Sequence, residues 1–177
     1  MKIFSANIED LRTLYIDNLQ KALDMEQHIT KALPKMIEKS SDPELAEAFA
    51  DHLEETQGHV TKLETLLREA TGEISTTKCK VIASLITEAE DTMTDVTDPT
   101  ILDVALIGAA QQVEHHEIAV YGTLRTWAEL IGLEDHAKVL ESILQEEKNA
   151  DVLLSDLSDT LNADAESVFT ARVGAAI

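Results

Sequence analysis

The sequence predicts an all-α protein: a four-helix bundle with a long crossover between its second and third helices that carries a short fifth helix. Three observations predict it. Glycine (6) and proline (3) are scarce among the 177 residues and aromatics make up only 3%, whereas Ala, Leu and Glu are frequent, a balance that favours long helices over a sheet. Apolar residues recur every three or four positions in four long segments. The links inside the first and second pairs of segments are short and the link between the pairs is long, which returns one helical hairpin alongside the other.

The first helix opens at SANIEDL, with Asn7 as N-cap and Asp10 as an acidic first-turn residue. Its stripe is Leu11, Tyr15, Leu19, Ala22, Leu23, Ile29 and Leu33. Pro34 is expected to bend or end it, because proline lacks an amide and clashes one turn back. The second helix starts at Asp42 as cap with Pro43 at the first helical position, and its stripe runs Leu45, Phe49, Leu53, Val60, Leu63, Leu67 until Thr71-Gly72 stops it. Val81, Ile82, Leu85, Ile86 and Ala89 make the short crossover helix, and Cys79 beside it reads as a small buried apolar residue. A third long helix spans about Thr100 to Leu130. The fourth runs from Glu134 to about Leu161, burying Ala137, Leu140, Leu144 and Leu154. One domain over 1–165 is therefore expected, with hairpins at about 7–71 and 100–161 and a C-terminal tail over 166–177.

The charge narrows the function classes. With 34 acidic and 14 basic residues the net charge is −20, a surface that repels phosphate backbones and anionic lipid, so neither nucleic-acid nor membrane binding is expected. The same surface attracts cations or marks a salty environment. The single cysteine excludes an internal disulfide. The N-terminal residues contain no apolar core of a signal peptide, and VALIGAA is too short to span a bilayer. A cytoplasmic protein is expected.

One stretch demands a chemical reading. In VEHHEIAVYGTL, Glu114, His115, His116 and Glu117 interrupt a helix otherwise apolar enough for a core. The two hairpins also repeat: DMEQHI lies over QVEHHE, placing Glu26 on Glu114, and HLEETQGHV lies over LQEEKNADV, placing Glu55 on Glu147 and His59 on Asp151. Glu26, Glu114, Glu117 and Glu147 fall on apolar stripes, with Asp151 filling the same gap as Glu147, while Glu55 sits on the shoulder of its stripe. A carboxylate buried alone costs several kcal/mol in desolvation or takes a proton, and a cluster of them repels itself. Divalent cations remove both penalties. His52, His115 and His116 read as surface or helix-packing histidines, and Tyr121 as a core tyrosine with its hydroxyl satisfied.

LDMEQHITKALPKM, HLEETQGHVTKLE, TKCKVIASLITEAE, AAQQVEHHEIAVYGTL and LQEEKNADVLL together resemble the YciE/YciF-type bacterial stress proteins of the ferritin-like superfamily, in the family's order and as far as about residue 160. The resemblance implies a ferritin-like bundle around a carboxylate-rich dinuclear metal centre, with iron as the first choice and manganese the second. It casts Glu26, Glu114 and Glu117 as ligands, Glu55 and Glu147 as bridging glutamates, and His59 and Asp151 as ligands or tuning partners. It further implies a homodimer. One departure stands out: the superfamily's Glu-x-x-His is absent from the second and fourth helices, where Glu55/His59 and Glu147/Asp151 are four apart instead.

Two functions of different class are then expected. One is a stress-response di-metal protein reacting with dioxygen or peroxide, a non-haem oxidoreductase. The other is a non-catalytic dimeric helical bundle with a structural metal or none. A DNA-protecting mini-ferritin is opposed by the charge and by the repeat, which places a site within one chain.

Overall fold

The computed structural model describes residues 8–174, with side chains described as far as residue 167. It is all-helical: α1 (Leu11–Lys39), α2 (Pro43–Thr71), α3 (Lys80–Asp95), α4 (Pro99–Leu130) and α5 (Glu134–Gly174). Helix starts follow local chemistry. The Asp10 carboxylate accepts the Thr13 amide at 2.7 Å, that of Asp42 the Leu45 amide at 2.9 Å, and that of Asp98 the Thr100 amide at 3.0 Å. Pro43 and Pro99 occupy first-turn positions that need no amide. Gly72 ends α2 at φ 83°, a left-handed conformation that costs glycine no Cβ clash.

α1 packs on α2, α2 on α5, α5 on α4 and α4 on α1, closing a square of four. The crossover from α2 to α4 spans the diagonal, and α3 lies on it against α1 and α4. Leucines dominate the interior, with Tyr15, Met25, Phe49 and Tyr121 as its larger members. The α1–α2 turn is clamped by buried Asp103 of α4, whose carboxylate accepts the Ser41 and Asp42 amides at 2.8 and 3.1 Å and the Ser41 hydroxyl at 2.5 Å. At the opposite end Tyr15 Oη and His136 Nδ1 hydrogen-bond at 2.9 Å, tying α1 to α5.

The N-cap of α1 and the end of α5 differ from expectation, and of the bend or end expected at Pro34 the end does not occur. Asn7 lies outside the described residues, and the N-cap of α1 is Asp10. Pro34 does not end α1, which continues to Lys39 because Leu33 and Met36 on either side of it are buried in the core; tertiary burial outweighs one lost amide. α5 runs beyond Leu161 to Gly174, so the segment expected as a tail is helical as far as it is described. Residues 175–177 lie outside the described part.

Candidate metal centre

Each bundle helix turns an interrupted apolar stripe inward at one level. On α1 Glu26 stands between buried Ala22 and Ile29. On α2 the buried series Leu45, Phe49, His52, Thr56, His59, Leu63 is one continuous face, spaced at alternating three and four residues. α4 contributes Glu114 and Glu117 between Ala110 and Tyr121, and α5 contributes Glu147 between Leu144 and Leu154. All six of Glu26, His52, His59, Glu114, Glu117 and Glu147 are buried.

The two histidines face opposite halves of the cluster. His52 Nε2 lies 3.3 Å from Glu114 Oε1 and 4.0 Å from Glu147 Oε2. His59 Nδ1 lies 3.0 Å from Glu147 Oε1 and 3.7 Å from Glu26 Oε2, without the alignment of a hydrogen bond. Each ring turns its other nitrogen to an outer carboxylate. His52 Nδ1 is 3.7 Å from Glu55 Oε2, while His59 Nε2 hydrogen-bonds Glu146 Oε2 at 2.6 Å, and Lys62 donates to that same oxygen at 2.8 Å. Carboxylates placed behind imidazoles in this way fix ring orientation and raise basicity toward a cation. Tyr121 donates its hydroxyl to Glu26 Oε1, leaving Oε2 directed at the cluster.

With no cation bound, the electrostatics favour the protonated forms of His52, His59, Glu114 and Glu117. Burial opposes charge on His52, yet Glu55, Glu114 and Glu147 outweigh it and hold its pKa at about 9. Burial likewise opposes charge on His59, and Glu147 with Glu26 raises it to about 10. Desolvation pushes Glu114 up to about 8 against the pull of His52. Glu117 is raised well above the carboxylate range by burial and by Glu147, Glu26 and Glu114, and burial also raises Glu147.

Glu26 Oε2, both nitrogens of His52, His59 Nδ1, Glu114 Oε2 and both oxygens of Glu117 and of Glu147 are buried without a hydrogen-bond partner. Buried polar atoms are ordinarily satisfied, so such a concentration needs an explanation. Two groups of side chains bring ligand atoms within 4.8 Å of one another: His52, Glu114, Glu117 and Glu147, and Glu26, His59 and Glu147. Each could hold a metal ion. The carboxylate and imidazole donors suit iron, manganese or zinc, with no thiolate to favour a soft ion.

Of the residues singled out in the sequence, Glu26, His59, Glu114, Glu117 and Glu147 are brought together. Glu55 is not: its side chain is 47% exposed, and it reaches the cluster only through His52. Asp151 is 20% exposed and lies outside both groups, with Oδ1 3.5 Å from His115 Nε2. His115 is at the surface, and His116 turns its Nε2 to Cys79 Sγ at 3.7 Å. His52, expected to be a packing histidine, is a member of the cluster. The signal that finds it is the unbroken spacing of 45, 49, 52, 56, 59 and 63 on α2. The repeat also aligns without a gap. The offset of 88 residues that carries Glu26 onto Glu114 carries His59 onto Glu147, whereas pairing Glu55 with Glu147 requires a four-residue shift.

Residues 10–166 match the model of the DUF892 family, a domain of unknown function. The chain belongs to the DUF892 family. Protein YciF of Escherichia coli K12 is 37% identical over 163 residues, which cover 91% of this chain and 98% of YciF. The solved structure of the E. coli stress protein YciF superposes with a TM-score of 0.84 at 36% identity, covering 88% of this chain and 99% of that one. YcfI of Rhodopseudomonas palustris gives 0.83 at 40% identity, covering 86% and 98%. A Xanthomonas campestris protein, at 22% identity and a TM-score of 0.73 over 91% and 99% of the two chains, shares the fold. No helix of the described residues is long and apolar enough to cross a membrane.

Proposed function

We propose that this YciF-type stress-family protein holds a dinuclear iron or manganese centre in its bundle core and uses it to react with dioxygen or peroxide. The observation that carries the reading is the set of unpartnered buried atoms on all four bundle helices, with Glu147 common to both ligand groups. Glu147, common to both groups, would serve both ions. Two ferrous ions there would supply two electrons, enough with two protons to take dioxygen to hydrogen peroxide or peroxide to water.

The protein's own contribution is binding, orientation and exclusion of water. Glu26 and His59 hold one side, and His52, Glu114 and Glu117 the other. Glu146 and Glu55 set the two imidazoles, and Tyr121 fixes Glu26 with one oxygen directed inward. The core around them keeps solvent from the carboxylates, so loading a cation exchanges the protons of Glu114, Glu117, His52 and His59 for metal charge. A homodimer and a cytoplasmic setting belong to the same proposal.

The test is elemental analysis of chain loaded anaerobically with iron(II) or manganese(II). About two ions per chain are expected, with loss of at least one in Glu147→Ala. Absence of specific uptake by a folded chain overturns the reading. The R. palustris relative is called a putative structural protein, in keeping with a second reading in which the ion is a staple. In that case chelation lowers the melting temperature, and the loaded protein consumes neither dioxygen nor peroxide.

A further inference from the structure

Beside the cluster lies a cavity of about 50 Å³ with polar groups only at its two ends. At the inner end are His52 and Glu114, both buried. At the outer end are Lys35 and Glu90, 59% and 44% exposed, joined across α1 and α3 by a 2.5 Å ion pair. Everything between is apolar and comes from all five helices, including Ile29, Phe49, Ile86, Val113 and Leu154. α3 forms the roof, and Ile82 is its only buried residue, so the roof is the least anchored helix of the fold.

Size and lining select the occupant. Benzene requires a cavity of roughly 150 Å³, whereas one water needs about 10–15 Å³. The space therefore suits a molecule of two or three heavy atoms. Hydrogen peroxide fits by size, but between the two polar ends its hydroxyls would meet no acceptor on the apolar walls, so it would lie there with hydrogen-bonding groups unpaired. Dioxygen has no hydrogen bonds to lose and partitions into apolar surroundings.

We propose that this cavity is a dioxygen site, entered beside the Lys35–Glu90 pair under α3 and delivering dioxygen, in preference to peroxide, to the His52–Glu114 edge of the cluster. The proposal rests on the metal reading above for what dioxygen meets there, while the cavity itself can be tested without metal. Xenon, apolar and of similar width, is the probe. In crystals of metal-free protein under xenon pressure, a xenon atom is expected between α1 and α4 beside His52. Ala109→Leu and Ala89→Leu, two half-buried alanines that line the cavity, fill it and should abolish that site.

With iron(II) loaded, both variants should bind as much iron as the native chain. Oxidation by dioxygen should slow at least tenfold, and oxidation by added peroxide should change less than twofold. A cavity without xenon overturns the proposal whatever the iron does. So does an equal slowing with both oxidants, or no slowing in either folded variant. Xenon without iron uptake also overturns it, and iron analysis of the same samples attributes that result to failure of the metal reading.

Discussion

At Glu117 both carboxylate oxygens are buried without a partner, and its protonated form is strongly favoured. Removing this demand should stabilise the empty protein. Glu117→Leu is expected to raise the metal-free melting temperature, by about 1–3 kcal/mol of stability, because a well-packed apolar side chain replaces an uncompensated acid. It should simultaneously weaken metal uptake. Thermal unfolding with and without chelator checks both, and a destabilised metal-free variant would count against the site. Glu55 gives the converse case. Placed behind His52, it should on replacement by alanine weaken metal affinity by about 10–100-fold without changing the number of ions bound, the size of effect expected of a group that orients a ligand; a titration with metal indicator separates this from the lost ion of Glu147→Ala. These roles were half legible in the sequence. Carboxylates inside apolar stripes announce themselves by their cost. His59 was found through the repeat, but His52 was not, because imidazole packs in helix interfaces as readily as it ligates, and only neighbours from other helices tell the two apart.

At the level of the element, capping and spacing carried most of the boundaries. Asp42-Pro43 starts α2 and Gly72 stops it, as local chemistry requires. α1 runs through Pro34 because buried Leu33 and Met36 hold both sides of the weak point, and local signals do not contain that packing; α5 continues past Leu161 to Gly174. Asp103 is another long-range device, three hydrogen bonds from α4 to the α1–α2 turn with no sequence pattern linking the two. Asp103→Ala should leave two backbone amides and a hydroxyl without their acceptor and cost about 1–3 kcal/mol or more in denaturant unfolding. Metal content should be unchanged, since the clamp is at the end of the bundle and not among the clustered carboxylates.

For the whole molecule the cluster sets a pH dependence whose sign follows from Glu114. Its folded pKa of about 8 lies above the ordinary 4.5, so the folded chain holds a proton that the unfolded chain gives up. That contribution is complete below pH ~4.5 and is lost as pH climbs through about 8. The raised values of His52 and His59 act in the same sense, their contribution being complete below about 6.5 and lost through about 9 and 10. Metal-free protein is therefore expected to melt at lower temperature at pH 8.5 than at pH 6, with a shallower slope in Glu114→Gln. Added iron(II) or manganese(II) should reverse the trend, because cations bind the deprotonated cluster. Calorimetry across pH with and without metal reads both signs, and a metal-free stability that rises over this range would contradict the protonated cluster.

By itself the sequence determined the helices, their pairing into two repeated hairpins, and the presence of acids where a core should be. Periodicity, capping and the expense of burying charge are local or additive, and each can be read along one chain. Only the tertiary structure decided which polar residues meet. It brought His52 in, put Glu55 behind it and left Asp151 at the rim, because the rotation of α2 and of α5 is set by packing against two neighbouring helices at once. A shift of one residue turns a side chain about 100° around its helix, enough to exchange a ligand position for a surface one.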